Sequence, residues 1–374
     1  MNNIIIVREL EQQLSQAVKE CNADRLFILT DSTTMQLCLP VVRDFACLSE
    51  AKCIGIAAGD SNKSLDAVSH VWSELQRMGA TRHSLLVNLG GGMVTDLGGF
   101  AASTFKRGIS YINIPTTLLS MVDASVGGKT GFNFGGLKNE IGVFSEPHNV
   151  LIDTQFLKTL DRENLLSGYA EMLKHGLISD VPTWAELLAF PLVSPENLES
   201  PDYPKRPENP ENPDNPDYPA LADMLEKSVA VKQRIVTEDP KEQGLRKALN
   251  LGHTIGHAIE SLAMSGTADG RLKPILHGYA VAYGLVCELY LSVIKTGFPT
   301  DRMRQTVHFI RENYGRLPIT CDDYPTLLQL MTHDKKNTAN EINFTLLGDI
   351  GDIRINQTAT RQEIEEALDF YREG

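Results

Sequence analysis

Basic residues are in short supply. Lysine and arginine total 35 against 48 acidic residues, a formal net charge of −13 over 374 residues. Non-specific nucleic-acid binding needs a basic face, so that class is excluded. A local cationic pocket for an anionic small molecule is not. Long apolar runs are missing as well. No stretch approaches the roughly 18 apolar residues that span a membrane. The opening Ile4-Ile5-Ile6-Val7 run is too short for a signal peptide and fits a first β-strand. The six cysteines (Cys21, Cys38, Cys47, Cys53, Cys287 and Cys321) include no Cys-x-x-Cys pair, which leaves no disulfide framework. They read as small buried residues of a cytoplasmic protein. What remains is ordinary for a soluble globular chain, 42% hydrophobic and 22% charged, with length for two domains.

In the first half, short apolar runs alternate with helical patterns. Arg25–Thr30, Cys53–Ala57, Ser84–Leu89, Ser110–Ile114 and Asn149–Asp153 read as strands. Ser32–Phe45, Leu65–Met78 and Met93–Thr104 read as helices, the second with Val68, Val71, Trp72 and Leu75 on one face. Such alternation predicts a parallel sheet with helices on both faces and ligands at the carboxyl ends of the strands. Gly90-Gly91-Gly92 sits at such an end, before a helix with Asp96 in its first turn, where backbone N–H groups can meet a phosphate. The dinucleotide fingerprint is incomplete, because position 95 is Thr rather than Gly; a plain tight turn is an equal reading. Asp123–Thr130 resembles a triphosphate-binding loop but fails as one, since Asp123 stands where that loop has glycine. Gly127–Asn139 holds five glycines with Lys129, Lys138, Asn133 and Asn139. It suggests an anion-binding loop, against the blander reading of a solvated glycine-rich loop.

From Thr154 helices dominate: Asn164–Ile178, Ala220–Thr237, Tyr279–Ile294, Asp301–Tyr314, Tyr324–His333 and Arg361–Tyr371, with one late extended segment at Ile342–Leu347. Ser194–Pro219 differs in kind. Its Pro-Glu/Asp-Asn repeat can neither bury a core nor form a helix, and reads as an exposed extended insertion. Within Asn164–Ile178, Glu171 and Lys174 stand three apart, with His175 beside them. A surface ion pair is the bland reading; the small neighbours Gly168, Ala170 and Gly176 argue for close packing.

The stretch Asn250–Glu260 carries His253 and His257 four apart, on one face of an apolar helix with Leu251, Ile255, Ala258, Ile259 and Leu262. Buried imidazoles need partners, and core hydrogen bonds would satisfy them. Glu171 and His277 occupy similar glycine-flanked settings. One carboxylate and two histidines make a catalytic zinc set with a position open for water or substrate. Three histidines compete for two places, and the residues alone leave that choice open. The cations Arg107, Lys129, Lys174, Lys232, Arg246, Lys335 and Lys336 exceed the needs of a zinc hydrolase. They fit a substrate bearing several negative charges, such as a phosphate plus a carboxylate.

These segments resemble the 3-dehydroquinate synthases of the sugar-phosphate cyclase group. The resemblance rests on Gly90–Asp96, Lys106–Gly108, Pro115–Thr130, Lys138-Asn139, Gly168–Lys174, Gly244–Arg246, Asn250–Glu260 and His277-Gly278, in order along nearly the whole chain. It implies an α/β, Rossmann-like dinucleotide-binding domain over 1–160 and a mainly α-helical metal- and substrate-binding domain over 161–374, interrupted by the insertion at 194–219, with the active site in the cleft between. It further implies NAD, one divalent metal (zinc, with cobalt as alternative) and a homodimer. The implied reaction converts 3-deoxy-D-arabino-heptulosonate 7-phosphate to 3-dehydroquinate and phosphate in the shikimate pathway.

Carried over residue by residue, the family's metal ligands fall on Glu171, His253 and His277. His257 is then a substrate contact and proton carrier. Lys174, Asp123, Lys129, Arg246 and Asn250 fall on catalytic positions, and Asn139, Lys232 and one of Lys335 and Lys336 on substrate contacts. Arg107 matches an arginine reaching the substrate phosphate from the neighbouring subunit. The NAD positions are Asp31, Asp60, Lys63, Gly91, Gly92, Asp96, Thr116, Thr117, Lys138, Phe156 and Thr159, with Asp123 and Lys129 beside them. Three features depart from the family. Asp60 stands where Glu is common, with a shorter reach; the His253 to His277 spacing is longer, with Gly266–Pro274 as a looped insertion; and the Pro-rich insertion has no counterpart. The rivals are another cyclase of the group, a metal-dependent polyol dehydrogenase, which needs fewer phosphate-binding cations, and a non-catalytic NAD-binding regulator, against which the intact Glu171, His253, His257 and His277 stand.

Overall fold

The computed structural model describes residues 4–135, 137–190, 192, 219–266, 270–332 and 342–374. The chain divides into two compact units, Met1–Asp161 and Arg162–Gly374. In the first, strands β1 (Ile4–Ile6), β2 (Leu26–Asp31), β3 (Lys52–Ile56), β4 (Leu85–Gly90), β5 (Ser110–Pro115), β6 (Lys129–Phe134), β7 (Leu137–Phe144) and β8 (Asn149–Ile152) combine with helices α1 (Leu10–Cys21), α2 (Ser32–Leu37), α3 (Leu39–Val42), α4 (Leu65–Arg77) and α5 (Gly92–Thr104). Six strands form one sheet in the order β1-β8-β5-β4-β2-β3, every neighbouring pair parallel. β4 lies inside the sheet and all six of its residues are buried, as a strand covered on both faces must be. β3 is an edge, and Cys53 on it is exposed, as is Cys321 elsewhere. The expectation that all six cysteines are buried was therefore wrong.

Ser64 caps α4 by accepting from the Ala67 N–H at 3.3 Å, and Val68, Val71 and Leu75 point into the core. α5 packs closer. A Cβ on Gly98 would collide with the Asn88 side chain, and one on Gly99 would lie 2.6 Å from Thr130 Cγ2. The close helix-to-sheet approach that a glycine at position 95 would usually give is thus provided one turn later. Two other expectations need correction. Ser32–Phe45 breaks into two short helices, with Pro40 in the first turn of α3. Gly127–Asn139 is no open loop: β6 and β7 pair as an antiparallel hairpin. Gly131 and Gly142 face each other there, each leaving no room for a Cβ against the opposite backbone.

The second unit comprises α6 (Arg162–Leu177), α7 (Val181–Ala189), α8 (Pro219–Glu238), α9 (His253–Ser265), α10 (His277–Thr296), α11 (Thr300–Tyr314), α12 (Tyr324–Thr332) and α13 (Arg361–Glu373), with strands β9 (Asn343–Asp349) and β10 (Asp352–Thr358). β9 and β10 form an antiparallel hairpin. The sequence showed one extended segment; β10 was missed because it alternates only half-buried with exposed residues. α10 corrects the expectation about apolar runs. Its 20 residues are long and apolar enough to cross a membrane, at a mean hydropathy of 1.2, yet 72% of that window is buried inside the protein. It packs against α6, α9, α11 and α13 and is apolar all round for that reason. Of the expected insertion, residues 194–218 lie outside the described residues, as do 267–269 of the looped insertion and the cationic turn at 334–337.

Candidate active site

Missing side chains bring the reactive ones together. A Cβ on Gly278 of α10 would run into the Ser167 carbonyl of α6. One on Gly284 would run into the Gly252 carbonyl before α9, and one on Gly256 would lie 2.8 Å from the Ala280 carbonyl oxygen. The three backbones therefore touch. Glu171 on α6, His253 as the first residue of α9 and His277 as the first residue of α10 converge. Glu171 Oε1 lies 3.5 Å from His253 Nε2 and 3.6 Å from His277 Nε2. His257, one turn beyond His253, completes a cluster in which a nitrogen from each of the three imidazoles lies within 4.8 Å of the others.

Hydrogen bonds aim these rings. His253 Nδ1 stands 3.1 Å from the Leu251 carbonyl oxygen, and His277 Nδ1 stands 3.2 Å from Glu260 Oε2. Each leaves its Nε2 toward Glu171, which is 0% exposed. Among the described residues, Glu171 Oε1 has no hydrogen-bond partner, while the Lys174 ammonium forms an ion pair with Oε2. Four-coordinate zinc with bonds of roughly 2.1 Å separates its donors by about 3.4 Å. An orphaned buried carboxylate oxygen at 3.5 and 3.6 Å from two aimed imidazole nitrogens fits that spacing.

The electrostatics agree. Burial pushes the Glu171 carboxyl up, but the Lys174 ammonium and His277 outweigh it and hold the group well below the usual carboxylate range. Burial pushes the His277 imidazole down, but the Glu260 and Glu171 carboxylates outweigh it and raise it to about 10. A positive charge between two buried carboxylates is what this arrangement favours.

The second unit buries further cations. Lys174 is 1%, Lys232 6% and Arg246 2% exposed, so the surface-pair reading of Glu171 and Lys174 does not hold. Arg246 donates from Nη1 to the Pro240 carbonyl at 2.7 Å, and its backbone N–H is held by Asp239 at 3.0 Å. Asn250 donates to Glu242 Oε1 at 3.1 Å. Glu242, Glu260 and Glu288 escaped the sequence reading. Glu260 carried a signal, since it follows His253 by seven residues on the same helix face. Glu288 carried one too, as the lone acid in an apolar run. Lys335 and Lys336 lie outside the described residues.

In the first unit, Asp31 ends β2, and Gly91 with Gly92, Thr116 with Thr117, and Phe156 with Thr159 follow the carboxyl ends of β4, β5 and β8, where open parallel sheets hold ligands. Asp31 Oδ1 accepts from the N–H groups of Thr33 and Thr34, both at 2.8 Å, capping α2. Gly91 is tightly seated: a Cβ there would lie 3.0 Å from Thr117 Cγ2. Lys63, only 3% exposed, donates to Asp96 Oδ2 at 2.5 Å and Asn139 Oδ1 at 2.6 Å. Lys138 pairs with Asp60 at 2.9 Å. Asp123 belongs to the single-turn π-helix Ser120–Ala124, and Lys129 opens β6. Arg107 is exposed on a turn where Lys106, Arg107 and Gly108 all have positive φ, at 50°, 72° and 111°.

Comparison with known proteins places the whole chain. The family model for the 3-dehydroquinate synthase N-terminal domain matches residues 53–167, and that for its C-terminal domain matches residues 168–337. The chain is 51% identical over 371 residues to a 3-dehydroquinate synthase of Parabacteroides distasonis, covering 99% of this chain and 98% of that one. It is 38% identical to a 3-dehydroquinate synthase of Pyrococcus furiosus, with 92% of each chain covered. A solved structure of 2-epi-5-epi-valiolone synthase from Streptomyces hygroscopicus, with NAD+ and Zn2+ bound, superposes with a TM-score of 0.80 at 25% identity, covering 100% of this chain and 97% of that one.

Proposed function

We propose that this chain, which belongs to the 3-dehydroquinate synthase family, converts 3-deoxy-D-arabino-heptulosonate 7-phosphate to 3-dehydroquinate and phosphate. The observation that carries the reading is the convergence of Glu171, His253 and His277 in a chain that matches its relatives end to end. In this reading Glu171, His253 and His277 hold one divalent ion, zinc or cobalt. Asp31, Asp60, Lys63, Gly91, Gly92, Asp96, Thr116, Thr117, Lys138, Phe156 and Thr159 hold NAD, with Asp123 and Lys129 beside it. Once bound, the ion would acidify a substrate hydroxyl and the dinucleotide would accept and return a hydride.

The protein's own groups do the rest. Lys174, Lys232 and Arg246 neutralise the anionic substrate, and with Asn139 and Asn250 they fix one conformer of a flexible molecule, which favours ring closure. Burial of the three cations strengthens their contacts. His257, half-buried one turn from His253, exchanges a proton with the substrate as phosphate leaves. Arg107 reaches the phosphate site of a second copy in a homodimer. The six free cysteines suit a reducing cytoplasm.

The test is catalytic. Purified protein with zinc and NAD should release phosphate from the heptulosonate phosphate, lose that activity to a chelator, and accumulate no NADH. Net NADH without phosphate release would point to a polyol dehydrogenase instead.

A further inference from the structure

We infer that Glu288 is a positioning residue of the metal centre, an outer carboxylate that sets His253 through the backbone of α9. The inference rests on the metal reading above. α9 begins at His253, and its N-cap is Gly252, which has no side chain to offer. The first N–H groups of a helix need acceptors. Here they come from another helix. Glu288 of α10 is 0% exposed; its Oε2 accepts from the Gly252 N–H at 2.6 Å. Its Oε1 accepts from the N–H groups of Thr254 at 3.0 Å and Ile255 at 3.1 Å. These bonds straddle residue 253, so its backbone is pinned from both sides. They are charge-assisted and lie at the positive end of the helix dipole.

Gly252 is held in the left-handed region at φ +79°, with Leu285 packed where a Cβ would be, at 2.9 Å. The chain therefore has little freedom to relax if the carboxylate changes. Chemistry explains why the residue is Glu. Both oxygens must accept. A glutamine would turn its NH2 either on Gly252 or on Thr254 and Ile255, setting donor against donor. The start of α9 would shift, and His253 Nε2 would leave its 3.5 Å station beside Glu171 Oε1.

The experiment compares wild type, Glu288→Gln, Glu288→Asp and His253→Ala in the full chain. Zinc affinity is measured by competition with a chromophoric chelator, and the Co2+-loaded proteins are compared by visible absorption. Folding is followed by circular dichroism. Folded Glu288→Gln should bind zinc about 10- to 100-fold more weakly and show an altered Co2+ spectrum. Glu288→Asp keeps the charge and should lose less. If Glu288→Gln does not fold, the same readouts are taken from Glu288→Asp. A folded variant with lowered thermal stability but unchanged zinc affinity and Co2+ spectrum overturns the inference, since a merely structural cap would behave so. Wild type that takes up no zinc, or His253→Ala that binds it like wild type, overturns the metal reading itself.

Discussion

Glu171 Oε1 lies 3.5 Å from His253 Nε2, across two helices that the chain separates by some eighty residues, and no nearer donor claims that oxygen among the described residues. In the proposed reading the pair shares a cation. Glu171→Gln should abolish stoichiometric zinc by metal analysis. It also strips Lys174, 1% exposed, of its counter-charge. Removing one partner of a buried pair costs about 3–5 kcal/mol, so the urea midpoint of the metal-free variant should fall as well. A variant that keeps its zinc would contradict the assignment.

Gly278→Ala tests the close approach of α10 and α6. Within a helix, alanine normally gains up to about 1 kcal/mol over glycine. Here the new Cβ meets the Ser167 carbonyl, and overpacking costs about 1–3 kcal/mol. The clash should win: thermal unfolding shifts down and zinc affinity falls, because His277 precedes the displaced residue. A stabilised variant with unaltered zinc binding would show that the helices can separate without moving the site.

Lys63→Met should act on the other unit. Lys63 bridges Asp96 and Asn139 at 2.5 and 2.6 Å, so its removal leaves Asp96 without that cation. We expect NAD affinity, measured by calorimetry, to fall about 10-fold or more, the cost of a charge-assisted bond, with zinc affinity unchanged. Equal NAD binding would remove Lys63 from the cofactor set.

Arg107 offers a test by complementation. Arg107→Ala and His257→Ala should each be nearly inactive alone. Mixed and allowed to exchange, half the dimers are hybrid and each hybrid holds one intact site, so activity should return to about a quarter of wild type. No recovery after verified exchange would place Arg107 outside a partner's site.

How much of this was legible beforehand differs by kind of signal. The parallel sheet was readable because β2, β4 and β5 are buried on both faces and appear as short apolar runs. β10 was not, because a strand exposed on alternate residues leaves little apolar signal. The residues of the Glu171, His253 and His277 cluster could be named from spacing and family resemblance, but their aim could not. That aim depends on Glu260 and Leu251 holding the Nδ1 atoms, and on Gly252, Gly278 and Gly284 letting backbones touch. Such contacts are set by tertiary packing, which no local pattern encodes. The hairpin β6–β7 reads as a loop from sequence for the same reason: Gly131 and Gly142 resemble loop glycines until each is seen against the opposite strand.

In the proposed reading Glu171, His253 and His277 hold one divalent ion and His257 carries protons. Zinc content of His257→Ala and His277→Ala, purified alike and measured beside turnover, tests it most directly. His257→Ala should hold near one zinc per chain, with turnover down by about 10²- to 10⁴-fold, and His277→Ala near none. Loss of zinc from His257→Ala with retention in His277→Ala would contradict it.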